Sequence, residues 1–169
     1  MMSNYSILKS LLTNELTVKR SGFWRPVYEL MDGQYSYGML RYEGAWRPKA
    51  IIETADSNWV LSRKGARAAE IKSIEGESIA ETKQSFWGSE VTFSANDGFT
   101  ARLVKPSIWK GSMFWEAADG TELVSIKPRL FNMPVISINV QMKQNRWLLL
   151  LAFLALEIHL KRQKQAAAT

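Results

Sequence analysis

The chain offers few groups that could carry a reaction. Its single histidine, His159, follows Glu157 by two residues in the run "LEIHLKRQKQ". Helix residues two apart point to different faces. General-base or metal chemistry at His159 would need a partner at ligand spacing, and no His/Cys/carboxylate cluster surrounds it. The plain reading is a helix-end histidine that complements the helix dipole. Glu157 then reads as a structural partner at the edge of an apolar helix. Cysteine is absent, which removes disulfides, thiolate nucleophiles and Cys-based zinc sites together. The aspartates of Asp32-Gly33, Asp97-Gly98 and Asp119-Gly120 read as turn formers rather than paired catalytic carboxylates. Neither a glycine-rich phosphate loop nor a GxSxG elbow occurs. The expectation is a protein without enzymatic activity, cofactor or metal.

Binding chemistry has more to draw on. The formal net charge is +6 and the pI is near 9.6, a balance that favours contact with polyanions or anionic lipid. The positive charge concentrates in two runs. "SRKGAR" places Arg63, Lys64 and Arg67 around Gly65, and "HLKRQKQ" carries Lys161, Arg162 and Lys164. Solvated loop and tail charge is the plain reading of both. The sharper one is recognition of an anionic headgroup or phosphate, and these six residues are its candidate site. Trp24, Trp46, Trp87 and Trp109 recur at the starts of repeated units, which predicts a packing role in each hairpin. Stacking on bases would need them exposed beside basic residues, so nucleic acid is the less favoured partner.

Strand signals dominate from Glu15 to Met142. "SEVTFSA" alternates, with Val91, Phe93 and Ala95 on one face. "PVISINVQM" does the same with Ile136, Ile138, Val140 and Met142. Such period-two patterns mark half-buried strands, and Asp-Gly between two of them is a strong hairpin signal. Residues 86–106 and 108–128, offset by 22, share six identities, and "WRP" recurs at 24–26 and 46–48. About twelve strand-like runs follow one another, including 24–31, 46–54, 86–95, 108–117 and 134–142. An antiparallel series of this length has two edges, and closure into a barrel removes both. Twelve strands leave a bore wider than side chains alone can fill.

The filler is at hand. Trp147 to Leu156 is an unbroken apolar run, extended to Leu160 apart from Glu157 and His159. A helix that is apolar all round is buried in protein or in lipid. Residues 147–160 would span about 21 Å as a helix, short of a hydrocarbon core of about 30 Å. A plug inside the barrel, bounded by Arg146 and Lys161, is therefore preferred over a C-terminal membrane anchor.

Repeated strand–turn–strand units with Asp-Gly turns, ending in "WLLLLAFLALEI", resemble the tubby-like superfamily, which includes the tubby C-terminal domain, phospholipid scramblases and LURP-one-related proteins. The size is closest to its compact bacterial-type members. The resemblance implies a closed antiparallel barrel of about twelve strands around a hydrophobic C-terminal helix, all-β apart from that helix. No residue-by-residue match to the tubby phosphoinositide pocket is present. The region matching the acidic calcium segment of scramblases, "VQMKQNRWLL", holds Lys143 and Arg146 and no acid.

The expected organisation is an N-terminal segment 1–14, a barrel 15–160 with its central helix 146–160, and a basic, disordered tail 161–169. The leading function is a monomeric binding or scaffold module in the cytoplasm, in peripheral contact with anionic phospholipid at a membrane surface. No signal peptide is read from the N-terminal run. The alternatives are a nucleic-acid- or protein-binding module using the same basic loops, or a tail-anchored membrane protein.

Overall fold

A computed structural model describes residues 4–88, 90–106 and 111–169. Among them are twelve strands: β1 Glu15–Ser21, β2 Val27–Asp32, β3 Tyr35–Glu43, β4 Lys49–Thr54, β5 Asn58–Arg63 and β6 Ala68–Ser73 form the first half. β7 Ser78–Gln84, β8 Val91–Ala95, β9 Thr100–Val104, β10 Met113–Ala117, β11 Glu122–Arg129 and β12 Asn132–Ile138 form the second. Each pairs antiparallel with the next, and β12 returns to β1 with Leu16 opposite Ile136. The sheet is thus a closed twelve-stranded barrel with no free edge to template aggregation.

The alternation holds in β8 and, in β12, for Ile136 and Ile138, although Val135 on the opposite face is buried too. Val91 and Phe93 of β8 face the core while Thr92 is exposed, and Ile136 and Ile138 of β12 are buried. β12 stops at Ile138 rather than running to Met142, because the Asn139 side chain accepts from the Gln141 amide at 3.1 Å and turns the chain.

The bore is filled by α1, Leu148–Ala167, whose residues from Leu148 to Glu157 are all buried. Its close approach to the wall depends on one position. A Cβ at Gly38 of β3 would lie 2.5 Å from the Glu53 carbonyl oxygen and 3.1 Å from the Phe153 ring. Only glycine lets β3, β4 and the helix meet there. No described helix is long and apolar enough to cross a membrane; the apolar run lies inside the barrel.

The helix also outruns its expected end at Leu160. Residues 161–167, expected as a disordered tail, continue it to Ala167. Lys, Arg, Gln and Ala all favour helix. Lys161 pairs with Glu157 one turn back at 2.6 Å, and Lys164 rests 5.4 Å from the Tyr42 ring centre.

Alternate connections of such a barrel open on opposite ends. The lower end, where α1 begins, holds the β2–β3, β4–β5, β6–β7, β8–β9 and β10–β11 turns. The upper end, where α1 emerges, holds the other six connections. The N-terminal segment closes the lower end. Leu8 and Leu11 join the core, and the Lys143 ammonium donates to the Leu11 carbonyl at 2.6 Å.

Candidate functional site

The two ends differ first in charge. The lower strand connections carry Asp56, Glu75, Glu77, Asp97 and Asp119 and no lysine or arginine, while Lys9, Lys143 and Arg146 reach this end from the N-terminal segment and the β12–α1 link. The described upper connections carry Arg25, Arg47, Lys64, Arg67 and Lys105, against a single acid, Glu90. Glu90 lies 3.5 Å from the Arg102 guanidinium. The helix dipole has matching polarity, its positive end at the acidic turns and its negative end at the basic loops.

Strand parity brings together the two basic runs found in the sequence. β5 rises to the upper end, so the β5–β6 connection holds Lys64 and Arg67 there with Arg63 at the strand tip. Helix α1 emerges at the same end, carrying Lys161, Arg162 and Lys164. The six are not equivalent. Arg63, Lys64 and Arg67 are exposed and make no ion pair with any described residue. The Arg67 guanidinium lies 4.5 Å from the Phe86 ring centre, a cation–π contact that ties this loop to β7–β8. Lys161 is neutralised by Glu157. Arg162 turns back into the barrel mouth, donating to the Met113 sulfur at 3.3 Å, and burial lowers its pKa. The free positive charge comes mainly from the loops.

The second difference is apolar, and it corrects the sequence reading of the tryptophans. Trp24, Trp46 and Trp87 do not pack within hairpins; they are 89%, 97% and 86% exposed. Trp109 lies outside the described residues. The strands expected to begin at 24, 46 and 86 begin instead at Val27, Lys49 and Val91. Pro26 and Pro48 have no N–H to give a ladder and hold the preceding residues in loops. At the first loop, Gly22 has φ 76°, and a Cβ there would lie 2.5 Å from the Arg25 carbonyl oxygen. That tight return drives Phe23 and Trp24 outward, ring edge against ring face at 5.2 Å. Phe86 and Trp87 repeat the arrangement at 5.2 Å. At the β11–β12 tip, Leu130 and Phe131 are fully in solvent, and Phe131 has φ 62°.

A signal for these residues was present. "GFWRP" and "GAWRP" place Trp between the two strongest turn residues, which marks a loop tip. The recurrence at 22 residues marks the same end of successive hairpin pairs.

The lower end also exposes Leu12, Tyr35 and Ile74, yet its polar clamp is built for closure. Asp97 accepts from the Phe99 amide at 3.0 Å and from the Trp147 indole at 3.0 Å, with the Arg146 guanidinium at 3.3 Å. The Phe99 amide bond, followed by the Trp147 and Arg146 contacts, holds its carboxyl below the usual range. Beside this clamp a shallow cleft of about 500 Å³ is lined by Thr54, Asp56, Asn58, Glu75 and Arg146. A wall groove of about 480 Å³ surrounds Arg102, whose guanidinium is held by Glu116. No group of three or more His, Cys, Asp or Glu could hold a metal ion among the described residues.

His159 is not at a helix end, since α1 runs two further turns beyond it. It is buried, its Nε2 has no described partner, and burial followed by the Arg162 charge lowers its pKa. It is a neutral core side chain, so the dipole reading does not hold. Glu157 is buried at the mouth, paired with Lys161, and beside Tyr42, whose pKa is raised by burial and then by Glu157.

No family model, curated protein or solved structure matches the chain.

Proposed function

We propose that this protein is a non-enzymatic binding module whose upper end contacts anionic phospholipid headgroups at a membrane surface. The observation that carries the reading is the convergence of Arg63, Lys64 and Arg67 with Arg25, Arg47 and Lys105 on one end, and of acidic turns on the other. Each basic residue near an anionic surface contributes about 1 kcal/mol, and the acidic turns of the lower end would be repelled by the same surface. That asymmetry orients the molecule as well as attracting it. The barrel around a C-terminal helix also supports a place in the tubby-like superfamily, with the cytoplasmic face of a membrane as the site of action.

The test is co-sedimentation with phosphatidylcholine vesicles, with and without phosphatidylserine, across a salt series. Wild type should bind only the anionic vesicles. Binding should weaken as salt rises, because exposed charges are screened within about 8 Å at physiological ionic strength. Arg63/Lys64/Arg67→Ala should bind more weakly by roughly 3 kcal/mol at most, at about 1 kcal/mol per residue. No binding by wild type at low salt, or equal binding by both proteins, would overturn the reading.

A further inference from the structure

Among the described residues, seven large apolar side chains stand exposed at the upper end, in addition to its basic residues. Phe23 and Trp24 crown the β1–β2 loop, Trp46 the β3–β4 loop, Phe86 and Trp87 the β7–β8 loop, and Leu130 and Phe131 the β11–β12 tip. Four of the six connections at this end therefore present a described aromatic to water. Soluble surfaces rarely gather such residues without a partner.

Phe131 adds an independent observation. It is the second residue of a two-residue turn, in the left-handed region where glycine or asparagine is the ordinary choice. A bulky side chain there is strained and, being 101% exposed, gains no packing in return. Strain at an exposed loop tip points to a use for the ring outside the folded chain.

We propose that this aromatic crown inserts into the interfacial layer of an anionic bilayer, so that the barrel docks end-on with its axis along the membrane normal. The inference rests on the lipid-contact reading above and adds a depth and an orientation to it. Tryptophan, a flat apolar ring with a polar N–H, fits the headgroup level, and phenylalanine and leucine fit the apolar boundary just beneath it. Arg25 and Arg47 each follow a tryptophan directly in sequence, so anchor and charge reach the surface together. The six connections ring the barrel mouth, and a planar surface is the partner that several of them can meet at once. Two copies meeting crown to crown would oppose their basic loops. A single nucleic-acid strand is held in a groove that tracks its backbone, whereas these rings stand on separate projecting tips.

The experiment uses the full chain and vesicles of phosphatidylcholine with phosphatidylserine as the minority lipid, some carrying brominated acyl chains. Wild type should bind, and its tryptophan fluorescence should be quenched by bromine near the headgroup. Trp59, Trp115 and Trp147 are buried and supply an unquenched background, and Trp109, outside the described residues, is common to wild type and variant. Trp24→Ser/Trp46→Ser/Trp87→Ser should keep the wild-type thermal transition, since none of the three packs in the core. It should bind roughly tenfold more weakly or worse, with less quenching, and its remaining binding should be fully removed by salt. Phe131→Gly should melt no lower than wild type and still bind more weakly.

Wild-type binding with no quenching and an unchanged triple variant would overturn the crown while leaving the electrostatic contact standing. Absence of wild-type binding at low salt would remove both. Sedimentation showing oligomers that the triple variant abolishes, without vesicle binding, would assign the crown to self-association. Binding of a single-stranded oligonucleotide in place of vesicles, lost in the triple variant, would assign it to nucleic acid.

Discussion

The lower and upper ends of this barrel are made by the same strands, yet their connections are built on opposite principles. Lower turns are short and acidic, and much of their chemistry is turned inward. Asp97 serves the Phe99 amide, the Trp147 indole and the Arg146 charge at once. Upper loops are aromatic and basic, and their chemistry is turned outward. Trp147 at the bottom and Trp46 at the top show the contrast in one residue type: the first is 4% exposed with its indole N–H satisfied, the second is 97% exposed. Tryptophan is placed by what its neighbours supply. A hydrogen-bond acceptor and a ring of strands make one a core residue; glycine and proline make the other a loop tip.

The sharpest way to break the comparison is to attack what the two ends share, the helix between them. Leu150→Asp buries an unpaired charge at a fully enclosed position, at an expected cost of several kcal/mol. The variant should lose its cooperative thermal transition or become insoluble. Truncation after Asn145 should do the same by emptying the bore. A soluble, cooperative product in either case would mean that the barrel does not depend on its plug.

A smaller effect should follow from His159, the one titratable ring within the helix. Its folded pKa lies below the unfolded value of about 6.5, because burial and Arg162 oppose the charge. The unfolded chain therefore binds more protons as pH falls through about 6.5 toward the folded pKa, and stability declines over that window. Denaturant melts at successive pH values should show this decline in wild type. His159→Leu should remove that part of the slope; an identical slope would place its origin elsewhere.

Phe131→Gly should have the opposite sign from most substitutions. Relief of the left-handed strain outweighs the entropy of glycine by a small margin, so stability should rise by about 0.5–1 kcal/mol. A loss of stability in the melt would show that Phe131 has a structural role within the protein. The smallest effect is expected at the most exposed of the described tryptophans: Trp46→Ser should change stability by no more than about 0.5 kcal/mol. A larger drop would mean that the upper loops hold the fold together, and that the contrast between the ends is one of degree.

Much of the barrel was legible in the sequence because its causes are local. Period-two burial at Val91 and Phe93, and turns at Asp97-Gly98 and Asp119-Gly120, depend on residues a few positions apart. Counting such runs along the chain then gave about twelve strands. The candidate site was legible only in part. Arg63, Lys64 and Arg67 stood out as a run, whereas Arg25, Arg47 and Lys105 are single charges that mean little until loops are grouped by end. The tryptophans were misplaced because a recurring large apolar residue is usually core, and that expectation outweighed the flanking "G" and "RP" that mark a tip.

By itself, then, the sequence determined the strand count, closure and the buried helix. Each follows from hydrophobic period, turn chemistry, and the need to leave neither an edge nor an empty bore. Tertiary structure alone decided which charges share an end and which aromatics meet water. Those facts depend on where the twelfth strand closes against the first and on which way the helix runs through the bore. They also depend on whether a neighbouring strand covers each ring, and no short window of sequence contains that information.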